Sequence, residues 1–319
     1  MKNRPVDFAG ELSAVKGLEL RPDYPLRRLT TIGAGGRARW FALVESLAAL
    51  GSVLRAAKCP WFVMGGGSNL LISDRDYPGL IIRLGGGFRR LAFSGERLVS
   101  GAAVPLSRLV RRAVDNGFPG FEELSGIPGS VGGAAAMNAG THLKELGDMV
   151  DCLYLMDSQG KLKKYTASEL NRGYRHSLAP EIGIIPRLDF SRAAGGDPRT
   201  QSERAAFLAG QRKQKHPWRS RTFGSTFKNP PGLIAARLID EVGLKGLRIG
   251  GARVSPVHAN FIENDRGASA VDILSLIRLV RDKVHEKTGV KLEPEVRLLG
   301  FTGNELGDLA PYAVSIIKE

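Results

Sequence analysis

The sequence predicts a mixed α/β fold. Two observations carry this expectation: apolar residues recur at helical spacing in several windows, and short apolar runs closed by turn-forming residues lie between those windows. Residues 45–58 place Leu47, Leu50, Leu54 and Ala57 on one helical face. The run WFVM at 61–64 is a strand, and GGGSN at 65–69 is a sharp loop. LIIRL at 80–84 and LVS at 98–100 are further strands. Pro105 stands where a helix begins, with Leu106, Leu109, Val110 and Ala113 as its stripe and Asn116-Gly117 as its end. CLYLMD at 152–157 is a strand that turns at 158–160 and continues toward Tyr165. GIIPRLDF at 183–190 is another strand, demoted to an edge by Pro186. AAGGDPRT at 193–200 is a loop, and the composition shift there places a domain boundary near 200–215. Beyond it, residues 233–242 are helical and stop at Gly243. Ser269 caps a helix, Asp272 completes a capping box, and Ile273, Ile277, Val280 and Val284 form its core stripe. Residues 290–300 read as a closing strand.

Length and composition narrow the class. A chain of 319 residues holds roughly two or three domains, and 43% hydrophobic with 24% charged residues is ordinary for a globular protein. No apolar run reaches the length of a membrane span, and the opening MKNRPVDFAGEL lacks the apolar stretch of a signal peptide. Cys59 and Cys152 are the only cysteines, with no CxxC pair, so neither a disulfide framework nor a metal site is expected and a reducing cytoplasm is the expected home. The net charge of +14 favours anionic partners. Between Gln211 and Asn260 ten Lys or Arg residues face only Asp240 and Glu241. With no recognition-helix, zinc-finger or RNA-binding motif, a phosphorylated small molecule fits this segment better than nucleic acid.

The stretch at 126–140, GIPGSVGGAAAMNAG, contains five glycines and three consecutive alanines. So much bare backbone suits close approach of an anion to main-chain N–H groups, although a tightly packed structural turn explains it equally well by itself. It lies some 60 residues after the GGGSN loop, and together the two could hold a dinucleotide diphosphate from both sides. Neither has the strand–GxGxxG–helix setting of a Rossmann unit, and no Walker lysine is present.

Six motifs then occur in a telling order: GGGSNLLISD, GIPGSVGGAAAMNAG, YRHS at 174–177, GSTFKNP at 224–230, GLKGLRIGGARVSPVHANFIEN at 243–264 and LEPEV at 292–296. Over roughly residues 25–300 the sequence resembles the UDP-N-acetylenolpyruvoylglucosamine reductases, also called UDP-N-acetylmuramate dehydrogenases. The resemblance implies a PCMH-type FAD-binding fold of two subdomains plus a separate α/β substrate-binding domain. It places the FAD region at 1–205, split near 85, and the substrate domain at 206–300, with the 290–300 strand returning toward the active site and 301–319 as a tail. It implies NADPH-dependent reduction of UDP-N-acetylglucosamine enolpyruvate to UDP-N-acetylmuramate in peptidoglycan precursor synthesis. The alternatives are another PCMH-type FAD oxidoreductase, or a basic nucleic-acid-binding protein supported only by the charge.

By the same resemblance, FAD contacts fall to Gly65, Gly66, Gly67, Ser68 and Asn69 in the first loop. In the second they fall to Ile127, Pro128, Gly129, Ser130, Gly132, Gly133 and Asn138. The first loop offers no His or Cys for covalent attachment, so dissociable FAD is expected. The reaction builds negative charge next to a carboxylate and needs a cation there and a proton donor at carbon. Arg175, Ser225 and Glu295 match the family's catalytic residues as carboxylate clamp, proton donor and substrate-ordering acid. By themselves Arg175 reads as a surface ion pair and Ser225 as a loop serine. On a strand Glu293 and Glu295 would share a face, so only the motif position selects Glu295. Lys215, Asn229 and Lys245 match positions that hold the UDP-hexosamine, with Arg212 as a further candidate. Arg219 and Arg221 lie where HPWRSRTF departs from the family pattern, and the roles of His258 and Asn260 are open. No tyrosine lies between Tyr174 and Tyr312, which matches the shorter subtype without a tyrosine lid loop. The expected partners are the UDP-sugar and NADPH, with neither nucleic acid nor membrane, and the protein is expected to be a monomer.

Overall fold

The structure, a computed structural model, describes residues 8–317. Met1–Asp7, which open the segment expected to lack a signal peptide, lie outside the described residues, as do the last two residues of the expected tail. The chain forms two compact units that alternate along the sequence. Unit 1 takes the described part of Met1–Pro22, then Trp40–Gly66 and Gly79–Gln211; unit 2 takes Asp23–Arg39, Gly67–Pro78 and Arg212 onward. The last crossing, at Gln211, lies within the 200–215 interval read as a boundary. Segments 23–39 and 67–78 and everything described after Gly300 belong to unit 2, which a division into 1–205, 206–300 and a tail does not capture.

A four-stranded sheet is ordered Leu18–Pro25, Arg37–Val44, Tyr77–Leu84, Trp61–Val63, the last two parallel with Trp61 opposite Leu80. Unit 1 holds an antiparallel five-stranded sheet, ordered Leu91–Ser94, Arg97–Gly101, Ile184–Ser191, Val150–Met156, Leu162–Thr166. Its core is closed by a chain of tilted aromatic rings, Phe93, Phe118, Phe121 and Phe190, with successive centroids 5.7, 6.4 and 5.3 Å apart. Helix Leu106–Asp115 buries Leu106, Leu109, Val110 and Ala113, the stripe read from the sequence, and ends at Asn116 with Gly117 at φ +69°. Helix Leu47–Ala56 starts where the Ser46 hydroxyl accepts from Ala49 N–H.

Ile184–Ser191 is the central strand of its sheet and not an edge, despite Pro186. The register toward Val150–Met156 shifts between Ile184 and Arg187, so the proline sits in a bulge where a ladder N–H is not needed. Its carbonyl still accepts from Ala102 N–H at 3.0 Å.

Unit 2 has a parallel sheet of Ala313–Ile317, Arg297–Thr302 and Leu70–Ile72, and an antiparallel one of Arg248–Ile249, Ala252–Val254 and Ile262–Asn264. Helix Ala270–Thr288 has the expected capping box at Ser269 and Asp272, ends at Gly289 with φ +72°, and buries Ile273, Ile277, Val280 and Val284. Residues 301–317 are no loose tail: they contribute the Ala313–Ile317 strand, and Asp308 pairs with the buried Arg281.

The structure revises three further readings. An 18-residue helix, Pro198–Lys215, occupies the interval assigned to a loop and domain boundary; it buries only Gln201 among its side chains and so shows no apolar stripe. Val131–Ala136, inside the glycine stretch, is a short helix. The closing strand is confined to Arg297–Thr302, and 292–296 is irregular.

Candidate active site

In unit 1 the two glycine loops meet around one cavity of about 420 Å³. Gly65, Gly66, Gly129, Ser130, Gly132 and Gly133 all line it. So do Val63, Met64, Arg83 and Leu84, at the carboxyl ends of two parallel strands, where ligands of α/β proteins characteristically bind. A Cβ at Gly66 would come within 2.8 Å of the Gly129 Cα, and one at Gly65 within 2.5 Å of the Ser130 hydroxyl. At Gly132 it would come within 2.7 Å of the Ala102 methyl. The stretch is therefore bare for two reasons: the loops pack backbone to backbone, and their free side leaves main chain facing the cavity.

Local hydrogen bonds fix this cradle. Ser130 caps Val131–Ala136 by accepting from Gly133 N–H at 3.3 Å. Leu106 N–H donates to the Gly129 carbonyl at 3.0 Å and Val131 N–H to the Val104 carbonyl at 2.9 Å. The cavity lining contains no carboxylate but three guanidinium side chains, Arg83, Arg89 and Arg108. The sequence reading missed these three, because no motif separates them from the chain's many other basic residues. A cavity with bare backbone and a wholly cationic set of charged groups fits an elongated dinucleotide anion such as FAD.

Of the other residues expected at the cofactor, Ile127, Pro128 and Asn138 are not among the cavity lining. Gly67, Ser68 and Asn69 belong to unit 2, because the division falls inside the first loop. The Asn69 amide donates to the Glu295 carbonyl at 3.1 Å, and its own carbonyl accepts from Arg297 N–H at 3.2 Å.

Arg175 lies in unit 1 at φ +55°, in a tight turn where Gly173 and His176 exchange backbone hydrogen bonds of 3.1 and 3.0 Å. Its side chain is 15% exposed, with Nη2 donating to the Gly140 carbonyl at 3.0 Å. The guanidinium lies 4.9 Å from the Tyr174 ring centroid.

In unit 2, Ser225 and Glu295 are joined through one backbone segment. Ser225 bridges Phe261, and Glu295 N–H donates to the carbonyl of the next residue, Thr226, at 2.8 Å. Lys228 N–H donates to the Glu293 carbonyl at 2.9 Å. Buried Asn260 grips Phe227 at both backbone atoms, accepting from its N–H at 2.9 Å and donating to its carbonyl at 2.8 Å. Glu293 points outward with its side chain 57% exposed, whereas Glu295 is half-buried, so the structure separates the two acids. The Asn229 side-chain oxygen accepts from the N–H of Ala235, the first residue of helix Ala235–Glu241, at 3.0 Å.

The charges of Lys215 and Lys245 act on a pair of histidines. His216 and His258 pack edge to face at 5.2 Å and both rest on Phe261. Burial lowers the His216 pKa to about 4, aided by His258 and by the charges of Arg212 and Lys215. Burial also lowers the pKa of His258, with Lys245 adding to it. Both rings are therefore neutral near pH 7. His258 Nδ1 accepts from Asn260 N–H at 3.3 Å, the backbone role the sequence left open. Lys245 also reaches Asp240 at 2.7 Å. Arg221 packs against Gly33 at 3.3 Å from a Cβ there, and its carbonyl accepts from Asn264 N–H.

Comparison with known proteins accounts for both regions. A family model described as FAD binding domain matches residues 39–166. A second, described as UDP-N-acetylenolpyruvoylglucosamine reductase, C-terminal domain, matches residues 216–299. A UDP-N-acetylenolpyruvoylglucosamine reductase of Anaeromyxobacter sp. (strain Fw109-5) is 42% identical over 92% of this chain and 93% of its own length. The chain belongs to this reductase family. A reductase of the same name from Heliobacterium modesticaldum is 40% identical over 88% of the chain and 91% of its own length. The crystal structure of UDP-N-acetylenolpyruvylglucosamine reductase (MurB) from Thermus caldophilus superposes with a TM-score of 0.76 at 38% identity, covering 88% of this chain and 98% of that one. Membership makes the chain an FAD-dependent oxidoreductase and confirms the mixed α/β, PCMH-type architecture expected from the motifs.

Proposed function

We propose that the protein reduces UDP-N-acetylglucosamine enolpyruvate to UDP-N-acetylmuramate, with NADPH as hydride donor, in peptidoglycan precursor synthesis. The observation that carries the reading is the Ser225–Thr226–Glu295 arrangement, which lies in the segment matching the reductase family's C-terminal domain. FAD, when bound, supplies a two-electron hydride carrier between NADPH and the enolpyruvyl ether.

The chain's own residues do the rest. Arg175 holds the substrate carboxylate, where negative charge collects as hydride adds to the terminal enol carbon. The Ser225 hydroxyl gives its proton to the adjacent carbon, so the C=C bond becomes CH–CH₃, and water restores the hydroxyl. Glu295 orders the substrate beside it. Lys215, Lys245, Asn229 and Arg212 hold the diphosphate and sugar. Gly65, Gly66, Gly129, Ser130, Gly132 and Gly133 cradle FAD, with Gly67, Ser68, Ile127 and Pro128 shaping the loops. No His or Cys lines the cavity, which supports dissociable FAD. No helix among the described residues is long and apolar enough to cross a membrane, and a cytoplasmic monomer is the reading that accompanies this chemistry.

The test is direct. FAD-loaded protein, bleached anaerobically with NADPH, is mixed with the enolpyruvyl nucleotide. Rapid return of the flavin absorbance with formation of the lactyl ether is expected. Bleached flavin that persists in the presence of that substrate rejects the reading.

A further inference from the structure

We propose that Glu145 is a positioning residue for Arg175, with Asn138 as the strut that ties both to the glycine stretch. This rests on the reading of Arg175 as the carboxylate clamp. The observations behind it all lie within unit 1.

A non-glycine residue at φ +55° is held there only when its surroundings over-determine it. Around Arg175 they do. Its Nη2 rests on the Gly140 carbonyl at 3.0 Å, and Nη1 stands 3.7 Å from the Glu145 Oε1. The other carboxylate oxygen, Oε2, accepts from the Asn138 amide at 2.6 Å. The same amide nitrogen donates to the Gly173 carbonyl at 3.1 Å, in the turn that carries Arg175. Asn138 Oδ1 accepts from Gly147 N–H at 3.0 Å, and Asn138 is 3% exposed and itself at φ +46°. Its amide is thus spent on three protein partners, which explains its place in the motif without a cofactor contact.

Glu145 is in turn held by its backbone. Its N–H donates to Asp148 at 3.0 Å, it bridges Gly140, and Leu146 N–H donates to the Ala139 carbonyl at 2.9 Å. A Cβ at Gly140 would lie 2.6 Å from the Glu145 Cα, and one at Gly147 would strike Asn138 and Arg172, so this corner admits no extra side chain. The groups facing the Glu145 carboxyl are Arg175, Asp148, Asn138 and Arg172, and burial raises its pKa.

A carboxylate 3.7 Å from Nη1 orients the guanidinium toward the Glu145 side of the turn. The link through Asn138 means that the second glycine loop and the arginine turn are set by one hydrogen-bonded unit.

The experiment is a double-mutant cycle of Glu145→Gln and Arg175→Ala, read by stopped-flow absorbance on FAD-loaded protein. Glu145→Gln keeps an acceptor for Asn138 and removes the charge. It is expected to slow flavin reoxidation by the enolpyruvyl substrate roughly 10-fold, to leave reduction by NADPH unchanged, and to have no added effect in the Arg175→Ala background. Glu145→Asp runs the same cycle if the Gln variant fails to retain FAD. Added guanidinium is expected to rescue Arg175→Ala only when Glu145 is intact. Equal slowing in both backgrounds, or slowing of both half-reactions, overturns the positioning role and leaves Glu145 structural. An Arg175→Ala protein that reoxidises at the parent rate shows instead that the carboxylate-clamp reading has failed, and the proposal falls with it.

Discussion

The cavity of unit 1 and the Ser225 segment of unit 2 are built in opposite ways. At the cavity, Gly65, Gly66, Gly129 and Gly132 bring backbones so close that a single methyl group collides with a neighbour. At the Ser225 segment, the buried Asn260 side chain satisfies both backbone atoms of Phe227, two residues along the same irregular segment as Ser225. The first is shaped by side chains left out, the second by side chains put in. Adding atoms should therefore damage the cofactor site, and deleting them should damage the chemistry.

The largest effect is expected from a deletion. Ser225→Ala should slow reoxidation of reduced flavin by the enolpyruvyl substrate by roughly 10²-fold or more, the usual scale for losing a positioned acid. Reduction by NADPH should be spared, and Ser225→Cys should retain more activity than Ser225→Ala. Stopped-flow absorbance reads both steps, and reoxidation at the parent rate would remove Ser225 from the chemistry.

An addition tests the other side. Gly66→Ala drives a methyl group into the Gly129 backbone. An overpacking cost of about 1–3 kcal/mol, if felt at the cofactor site, corresponds to FAD affinity weakened roughly 5- to 150-fold in a fluorescence titration. Unchanged affinity would mean that the cradle holds something else.

The histidine pair sharpens the contrast through pH. His216 titrates at about 4 in the folded protein against an ordinary 6.5. The unfolded chain takes up the proton first, so stability should fall as pH drops from 6.5 toward 4, with the whole contribution lost below that range. The loss should be roughly 1–3 kcal/mol, measured by urea unfolding at neutral and acid pH. His216→Phe should flatten that slope, and a variant with the parent's slope would assign the titration to another group.

The smallest effect concerns charge at the cavity. Arg108→Ala should weaken FAD roughly 3- to 10-fold at low ionic strength, with the difference shrinking as salt screens it. Riboflavin, which lacks the diphosphate, should bind both proteins alike. An equal loss for riboflavin would turn Arg108 into a packing residue.

The sequence by itself determined the elements whose signals are local. The stripe and capping box of Ala270–Thr288, the helix after Pro105 and the bare composition of both glycine loops were legible because neighbours along the chain specify them. The ordered motifs likewise singled out Ser225, Arg175 and Glu295 as the proposed catalytic set. Only the tertiary structure decided the rest. A proline mid-strand reads as an edge until the bulge beside Arg187 is seen, and Pro198–Lys215 has too little buried surface to leave a periodic trace. Arg83, Arg89 and Arg108 come from three separate elements, and nothing in their own neighbourhoods marks them as sharing a cavity. Asn69 and Glu295 are 226 residues apart in sequence yet hydrogen-bonded, and Asn138 serves a turn 35 residues away. Periodicity and capping record short-range sterics and hydrogen bonding, whereas partners so distant are chosen only when burial brings their polar groups together and requires them to be satisfied.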